Sequence, residues 1–226
     1  MGFADLGDSF SVAPMPASPA LIRRLWSGER DLFRDHLQRL DADARHDRFG
    51  RAVDDSYLAH YAHSCFGLGD LVFGAFVDGV LRGAAELRSS GVIALEQAAG
   101  RRTAESALSV EPDWRRRGIG RALFQRVLRA ARNHGVETVE VFCAPENPAM
   151  MALAREAAET FVVDHDQAAA RIHVQAPTAF SLAGEIGADW LDLLGAHLLF
   201  WQHVPVARVF DFFAPGSRAR AEMTGR

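Results

Sequence analysis

The chain has 226 residues, of which 49% are apolar and 24% are charged, so it can bury one generous core. Its formal net charge of −4 provides no overall attraction to nucleic acid or to an anionic membrane surface. Two cysteines, Cys65 and Cys143, are too few for a disulfide framework, and their spacing suits no metal site. No charged segment followed by an apolar run opens the sequence, so no signal peptide is indicated and a cytoplasmic protein is expected.

The first part of the chain predicts a leader, a strand and two helical stretches. Residues 1–19 are rich in Gly, Ser, Ala and Pro and predict a flexible leader. A strand is predicted over 21–26. A helix is predicted over 27–40, where apolar residues recur at helical spacing, and a further helical stretch near 54–63.

The pair Asp78-Gly79 is the strongest short hairpin signal in the chain, because these residues favour the tight turn between antiparallel strands. The flanking runs 71–77 and 80–87 are therefore predicted to pair. Gly83, inside the second run, predicts a close approach of backbone or ligand.

The middle of the chain reads as a strand, an arginine-rich turn and a helix. The strand is predicted over 103–110, and Pro112 ends the extended run. From Gly118 onward apolar residues recur at three- and four-residue spacing, which predicts an amphipathic helix. Asn133 and its neighbours supply a stop for that helix.

The turn from Arg115 to Arg121 has the chemistry to bind a diphosphate. The first turn of a helix has unpaired N–H groups and a dipole that favours anions. Gly118 and Gly120 let a phosphate approach the backbone, and the arginines add forked donors. The alternative is an ordinary connection with a solvated arginine cluster. Neither G-x-x-x-x-G-K-[ST] nor G-x-G-x-x-G fits this turn.

After the central helix the pattern predicts a strand, a short helix and a closing hairpin. The strand is predicted over 136–143, and the helix over 147–158 with Asn147 as its N-cap. The hairpin strands are predicted over 161–164 and 171–175.

Residues 177–213 predict a helical extension interrupted by Glu185, Asp189 and Asp192. Its apolar run of about a dozen residues is shorter than the roughly 20 that a membrane span needs, and its charges are acidic rather than basic. The extension is expected to pack on the sheet or against a second copy, which makes a homodimer possible. Residues 214–226 predict a disordered tail.

The string that begins at Val110 resembles motif A of the GNAT family of N-acetyltransferases, R/Q-x-x-G-x-G/A, with Arg115, Gly118 and Gly120 in register. The resemblance implies an α/β (α+β) fold over residues 20–176, with a mixed, mostly antiparallel sheet of about six to seven strands flanked by helices. It also implies acetyl-CoA as cosubstrate and no metal. The residues expected to bind acetyl-CoA are Leu108, Ser109, Val110, Arg115, Arg116, Arg117, Gly118, Ile119, Gly120, Arg121 and Asn147.

In the resembled family acetyl-CoA lies between two parallel strands that splay apart, here 103–110 and 136–143. The N–H of Val110 would then meet the thioester oxygen. A second segment, with Arg45, Arg48 and Phe49, resembles L-x-x-x-S/A-R-x-x-R-F in a subgroup that includes bacterial protein-lysine acetyltransferases. There it caps the acceptor side. These three residues could contact the acceptor, or they could tie a helix to a loop.

Acetyl transfer to an amine needs a base for the amine, a polarised carbonyl and neutralisation of the leaving thiolate. Glu105 is the first candidate for the base, because several relatives carry A-E-x-A/S-x-x-V where this chain has 104–110. Glu86, on the neighbouring predicted strand, is the second. Glu105 could equally pair with an arginine, and either carboxylate could simply bind a cationic acceptor.

The sequence departs from the family at the expected acid. The family's helix reads N-x-x-A-x-x-L-Y, and this chain keeps Asn147 and Leu153 but has Ala154 in place of the tyrosine. Cys143 is near enough to consider as a substitute.

The expected function is therefore acetyl-CoA-dependent N-acetyltransfer to a primary amine, a protein lysine or a small molecule, by direct transfer in a ternary complex. The alternative is an acetyl-CoA-binding sensor or scaffold with little or no turnover. Neither nucleic acid nor a membrane is an expected partner.

Overall fold

The computed structural model describes residues 20–88, 102–164 and 168–203. The predicted leader and tail lie outside the described residues. So do nearly all of the connection predicted over 88–102 and residues 204–213 of the predicted extension. The strands are β1 Leu21–Leu25, β2 Leu71–Val77, β3 Val80–Arg88, β4 Thr103–Val110, β5 Thr138–Cys143, β6 Thr160–Val163 and β7 Ala168–His173. The helices are α1 Arg30–Gln38, α2 Ala42–Phe49, α3 Asp55–Ser64, α4 Ile119–Asn133, α5 Pro148–Ala157 and α6 Ala179–His203.

One sheet of seven strands runs through the described residues, in the order β1-β2-β3-β4-β5-β7-β6. Strands β4 and β5 pair in parallel. The other neighbouring strands pair antiparallel. The predicted mixed, mostly antiparallel α/β sheet is therefore confirmed.

The predicted hairpin joins β2 to β3. Asp78 and Gly79 both have positive φ, 50° and 77°, as a two-residue turn between twisted strands requires. The strands pair from Val77 with Val80 onward. All seven residues of β2 are buried, because both faces of the strand are covered.

Helix α4 covers one face of the sheet with its apolar side. Ile119, Leu123 and Val127 are buried there against the strands. A Cβ atom at Gly83 would lie 3.1 Å from Ile119 Cγ2 and 3.2 Å from Leu123 Cδ1. The predicted close approach at Gly83 is therefore confirmed, and its partner is α4.

The opposite face of the sheet is covered by α1, α2 and α3. Phe33 and Leu37 of α1 and Leu58 of α3 are fully buried in this second core. Helices α2 and α3 also form one wall of the candidate site described below.

Helix α6 packs beside β1 and α4 through its acidic residues. Asp189 pairs with Arg24 at 2.7 Å, and Glu185 pairs with Arg126 at 2.7 Å. Large apolar side chains of α6 face outward instead, with Trp190 63% exposed. The possible homodimer stays a prediction. Within the described residues, no helix has the length and apolar character that crossing a membrane would require.

Two predicted strand positions were wrong at their ends. β5 begins at Thr138 rather than at residue 136. β7 occupies Ala168–His173 rather than 171–175, because the alanines that open it have low strand propensity and conceal its start. Ala168 and Ala170 are nevertheless fully buried.

Candidate active site

Strands β4 and β5 separate halfway along their length. Their parallel pairing ends at Ser106 and Val141. β4 continues to Val110 with no strand partner on that side among the described residues. The predicted splay is therefore present, and it opens a gap at the carboxyl end of β4.

Backbone donors of β4 face this gap. The N–H of Glu111 donates to the carbonyl of Arg82 at 3.0 Å, so the N–H of Glu111 points towards β3. Because N–H groups alternate in direction along a strand, those of Leu108 and Val110 point away from β3 and into the gap. They can hold the amide and carbonyl groups of an extended ligand.

The arginine-glycine turn lies at the end of the same gap. Gly118 caps α4 with φ +81°, a conformation that favours glycine. The first bond within the helix runs from Ala122 N–H to Gly118 carbonyl oxygen at 3.0 Å. The N–H groups of Ile119, Gly120 and Arg121 precede it and have no acceptor within the helix, so they are available to an anion.

The three arginines before Gly118 are exposed but differ in their surroundings. Arg115 donates through Nε to the Val110 carbonyl at 3.3 Å. Arg117 stacks 4.7 Å from the ring centroid of Trp114. Arg116 has neither a hydrogen-bond nor an ion-pair partner within the described residues.

Three other predicted ligand-binding residues have side chains engaged elsewhere. Arg121 makes two hydrogen bonds to Glu156, at 2.6 and 2.7 Å. The Ile119 side chain is buried in the core. Asn147 accepts from the N–H of Met150 at 3.0 Å, as the predicted N-cap of α5.

A groove of about 400 Å³ runs between β4, the turn and α5. It brings most of the predicted ligand-binding residues together. Those that line it are Leu108, Ser109, Val110, Arg115, Arg116, Gly120 and Asn147.

A second opening, which we call the acceptor cleft, has a volume of about 630 Å³. It lies between α2 and α3 on one side and the ends of β4 and β5 on the other. It shares Asp47 and Glu146 with the groove, so the two openings adjoin. Its lining is formed by His46, Asp47, Arg48, Phe49, Gly50, Tyr61, Arg88, Glu105, Ala107, Phe142, Cys143, Ala144 and Glu146.

Glu105 lies on the floor of the acceptor cleft. Its side chain is partly exposed, and within the described residues it has no hydrogen-bond or ion-pair partner. Arg88 is the residue directly opposite Glu105 on β3. Its guanidinium lies 3.9 Å from the carboxylate of Asp70. The structure thus leaves both Glu105 oxygens free to accept a proton or a cation.

Glu86 lies under the same cleft but is buried, with 2% of its surface exposed. It accepts from Arg48 at 2.7 Å, from the Tyr61 hydroxyl at 2.7 Å and from Cys65 Sγ at 3.2 Å. Burial, followed by the charge of Glu86, raises the pKa values of Tyr61 and Cys65. Both groups therefore keep their protons and act as donors to the carboxylate.

A second buried carboxylate, Glu111, follows β4 directly. It accepts from Arg39 at 2.8 Å and Arg82 at 2.9 Å, and lies 3.3 Å from His36 Nδ1. The other ring nitrogen of His36 lies 2.9 Å from the hydroxyl of Ser109. Burial alone would raise the pKa of Glu111, but these three partners lower it to about 2. Burial lowers the pKa of His36.

The position of the family's tyrosine holds no hydroxyl. Ala154 is fully buried within the core. Cys143 lines the acceptor cleft, and burial raises the pKa of its thiol. In the described part of the chain, no group of His, Cys, Asp and Glu could hold a metal ion.

Sequence reasoning missed the residues that surround the two buried carboxylates. Tyr61, Cys65 and His36 were not singled out, and Arg48 was considered only as an acceptor contact or a tie. Arg48 lines the cleft and pairs with Glu86, which ties α2 to β3, and its contact with an acceptor stays a prediction. The sequence signal that could have prompted a search for such partners was a glutamate inside a predicted strand, because a carboxylate that becomes buried requires a cation or hydrogen-bond donors.

Known proteins share this architecture. A model of the acetyltransferase (GNAT) family matches residues 30–158. The GNAT domain of S. lividans PAT is 16% identical, with a TM-score of 0.56 over 68% of this chain and 90% of that one. YncA from Salmonella typhimurium, solved with acetyl-CoA, is 20% identical, with a TM-score of 0.50 over 72% of this chain and 99% of that one.

The ribosomal-protein-alanine N-acetyltransferase of Brucella melitensis is 18% identical, with a TM-score of 0.52 over 69% of this chain and 99% of that one. At these identities the likeness establishes the GNAT fold and nothing finer. No curated protein matches the sequence. Because the family model spans more than half of its length, the chain belongs to the acetyltransferase (GNAT) family.

Proposed function

We propose that this protein is an acetyl-CoA-dependent N-acetyltransferase that moves the acetyl group directly to a primary amine, with both substrates bound at once. The observation that carries the proposal is the splay of β4 from β5. It frees two backbone donors in a groove that leads from an anion-binding turn to an unpartnered carboxylate. A solved structural neighbour, YncA, holds acetyl-CoA.

In this proposal the arginine-glycine turn binds the pyrophosphate. Arg116 supplies a free charge, and the first N–H groups of α4 supply donors. The N–H groups of Leu108 and Val110 bind the arm of acetyl-CoA and polarise the thioester carbonyl. These interactions position the donor without any metal.

The amine enters through the acceptor cleft. Glu105 attracts its cationic form, takes its proton directly or through water, and leaves the neutral amine to attack the thioester carbon. Asp47 and Glu146 add negative charge at the place where cleft and groove adjoin. This favours a cationic amine, such as a protein lysine or a small-molecule amine. The name of the ribosomal-protein-alanine N-acetyltransferase, a neighbour in fold, indicates a protein acceptor, so protein amines are tested beside small amines.

One observation supports a rival function. Ala154 leaves no hydroxyl where the family's tyrosine would protonate the thiolate, and it is fully buried. A protein that binds acetyl-CoA without turnover, as a sensor or scaffold, would share the groove and lack an efficient acid. Binding and turnover must therefore be measured separately.

The test is thiol release from acetyl-CoA with a panel of lysine peptides and small amines. We expect Glu105→Gln to lower kcat by about 100-fold or more, as removal of a general base does, while acetyl-CoA still binds. Glu159→Gln is the control, because it removes the same charge from an exposed position before β6. Tight binding of acetyl-CoA with no turnover on any amine would favour the sensor or scaffold instead.

A further inference from the structure

A serine, a histidine and a glutamate form a hydrogen-bonded chain between β4 and α1. Ser109 Oγ lies 2.9 Å from His36 Nε2, and His36 Nδ1 lies 3.3 Å from Glu111 Oε1. His36 is completely buried, whereas Ser109 is partly exposed and lines the groove. The amine chemistry assigned to Glu105 uses none of the three side chains.

The partners of His36 determine where its proton lies. Burial lowers the pKa of His36 and favours the neutral ring, while Glu111 is ionised. The nitrogen that faces the carboxylate, Nδ1, therefore carries the hydrogen and donates it to Glu111. Nε2 is then an acceptor, and the Ser109 hydroxyl must donate to it.

This arrangement makes the Ser109 oxygen a nucleophile. Its hydrogen points at a base, and its lone pairs are directed away from His36. A base that is held by a buried carboxylate and contacts a hydroxyl is the arrangement that activates serine for attack on acyl groups. Within the described residues, the hydroxyl has no side-chain partner other than His36.

The position of Ser109 supplies an electrophile. It lies between Leu108 and Val110, whose N–H groups face the gap, and it lines the groove assigned to acetyl-CoA. Backbone donors beside a nucleophile stabilise the negative oxygen that forms when a carbonyl is attacked.

Holding Glu111 in place does not by itself require the second contact of His36, the one with Ser109. Glu111 also pairs with Arg39 and Arg82, so His36 is one of three partners that lower its pKa. Burying an imidazole completely costs desolvation that an apolar residue on α1 would avoid. The hydrogen bonds that join Ser109, His36 and Glu111 therefore point to a role beyond packing.

We propose that Ser109 is a second acceptor for the acetyl group, used when no amine occupies the acceptor cleft. Ser109 Oγ bonds to the thioester carbon while its proton passes to His36 Nε2. The carbon–sulfur bond then breaks, and His36 returns the proton to the departing sulfur. CoA leaves as a thiol, and Ser109 carries an acetyl ester.

Water completes the cycle. It attacks the ester carbon and gives one proton to His36, which passes it to Ser109 Oγ as the carbon–oxygen bond to serine breaks. Acetic acid leaves and ionises to acetate in solution. The protein thus hydrolyses acetyl-CoA slowly when the amine is absent, whereas direct transfer dominates when it is present. This inference goes beyond the proposed function and relies on it only for the identity of the donor.

The experiment incubates the full chain with acetyl-CoA and no amine. We expect thiol release together with a mass increase of one acetyl group, mapped to the peptide that contains Ser109. Ser109→Ala should abolish the adduct and lower amine-free release by about 100-fold, as loss of a nucleophile does. Ser109→Cys should carry an acetyl thioester that neutral hydroxylamine removes.

Ser106→Ala is the control, since Ser106 lies on the same strand and its buried hydroxyl has no hydrogen-bond partner in the part of the chain that the structure describes. It should leave the adduct intact. An unmodified Ser109, together with amine-free release that is equal in wild type and Ser109→Ala, would overturn the inference. Amine acetylation in the same preparations would still support the proposed function. A wild-type protein that binds no acetyl-CoA would refute both.

Discussion

Glu86 and Glu105 lie on neighbouring antiparallel strands and face the same side of the sheet, yet their surroundings are opposite. Glu86 is buried and accepts from Arg48, Tyr61 and Cys65. Glu105 borders the acceptor cleft and has no partner in the described part of the chain. A carboxylate with its lone pairs already used holds structure, whereas one with free lone pairs can take a proton.

The same contrast separates other residues that look alike in sequence. Glu111, like Glu86, is surrounded by donors. Among the arginines of the turn, Arg121 is paired with Glu156, whereas Arg116 has no partner within residues 20–88, 102–164 and 168–203. Residue type therefore identifies candidates, and the count of existing partners decides which of them are available to a substrate.

The largest expected effect is on stability, from Glu86→Gln. This change leaves the Arg48 guanidinium buried without its counter-charge, and we expect the free energy of unfolding to fall by about 3 kcal/mol or more. Glu105→Gln should change it by less than about 0.5 kcal/mol, because no partner is lost. Urea unfolding of both variants tests the comparison. Equal stabilities would show that the two carboxylates are not distinguished by their surroundings.

The next effect is the loss of stability in acid. The partners of Glu111 lower its pKa from 4.5 to about 2. Its contribution to the free energy of unfolding is therefore complete above pH 4.5 and is lost as pH falls towards 2. The shift corresponds to about 3 kcal/mol. The pKa of His36 is lowered as well, because burial disfavours the charged ring. The stability that depends on neutral His36 is therefore also lost as pH falls, beginning near the usual histidine pKa of 6.5.

The measurement is the free energy of unfolding as a function of pH for wild type and Glu111→Gln. The variant should be less stable near neutral pH and should lose less stability between pH 4.5 and 2. Parallel pH curves for the two proteins would contradict the assignment of Glu111 as an ionised, partnered group.

The local pattern of the sequence predicted the fold well because strand alternation, the Asp78-Gly79 turn and the apolar face of α4 are contiguous signals. The position of the arginine-glycine turn at the start of α4 was predictable for the same reason, and its binding of an anion stays a prediction. The partners of the carboxylates were not. Arg48 and Glu86 are 38 residues apart, and Ser109 and His36 are 73 apart. Such pairs form only when helices pack on the sheet, and no local pattern encodes them.

A smaller loss of stability is expected from Tyr61→Phe. The change removes one donor to a buried carboxylate, and hydrogen bonds to charged groups contribute about 2 kcal/mol. Tyr57→Phe is the matched control, because Tyr57 stacks on Tyr61 in the same helix and its hydroxyl has no described partner. Thermal unfolding should rank Tyr61→Phe below Tyr57→Phe. The reverse order would mean that the hydrogen bond from the Tyr61 hydroxyl to Glu86 does not stabilise this site.

The smallest effects concern the proposed binding of acetyl-CoA by the arginines of the turn. Arg116 has a free guanidinium beside the groove, so Arg116→Gln should raise the Kd for CoA about tenfold, the value of one charge-assisted contact. Arg121 is engaged with Glu156, and its backbone N–H survives substitution, so Arg121→Gln should change the Kd by less than about twofold. Calorimetric titration with CoA at two salt concentrations measures the Kd of each variant and of the wild type. Because salt screens exposed charges, the ratio of variant to wild-type Kd should fall with salt for Arg116→Gln and stay near one for Arg121→Gln. If Arg121→Gln proved as damaging as Arg116→Gln, Arg121 would have to leave Glu156 to reach the ligand. An existing ion pair would then not predict which charges of this site are available.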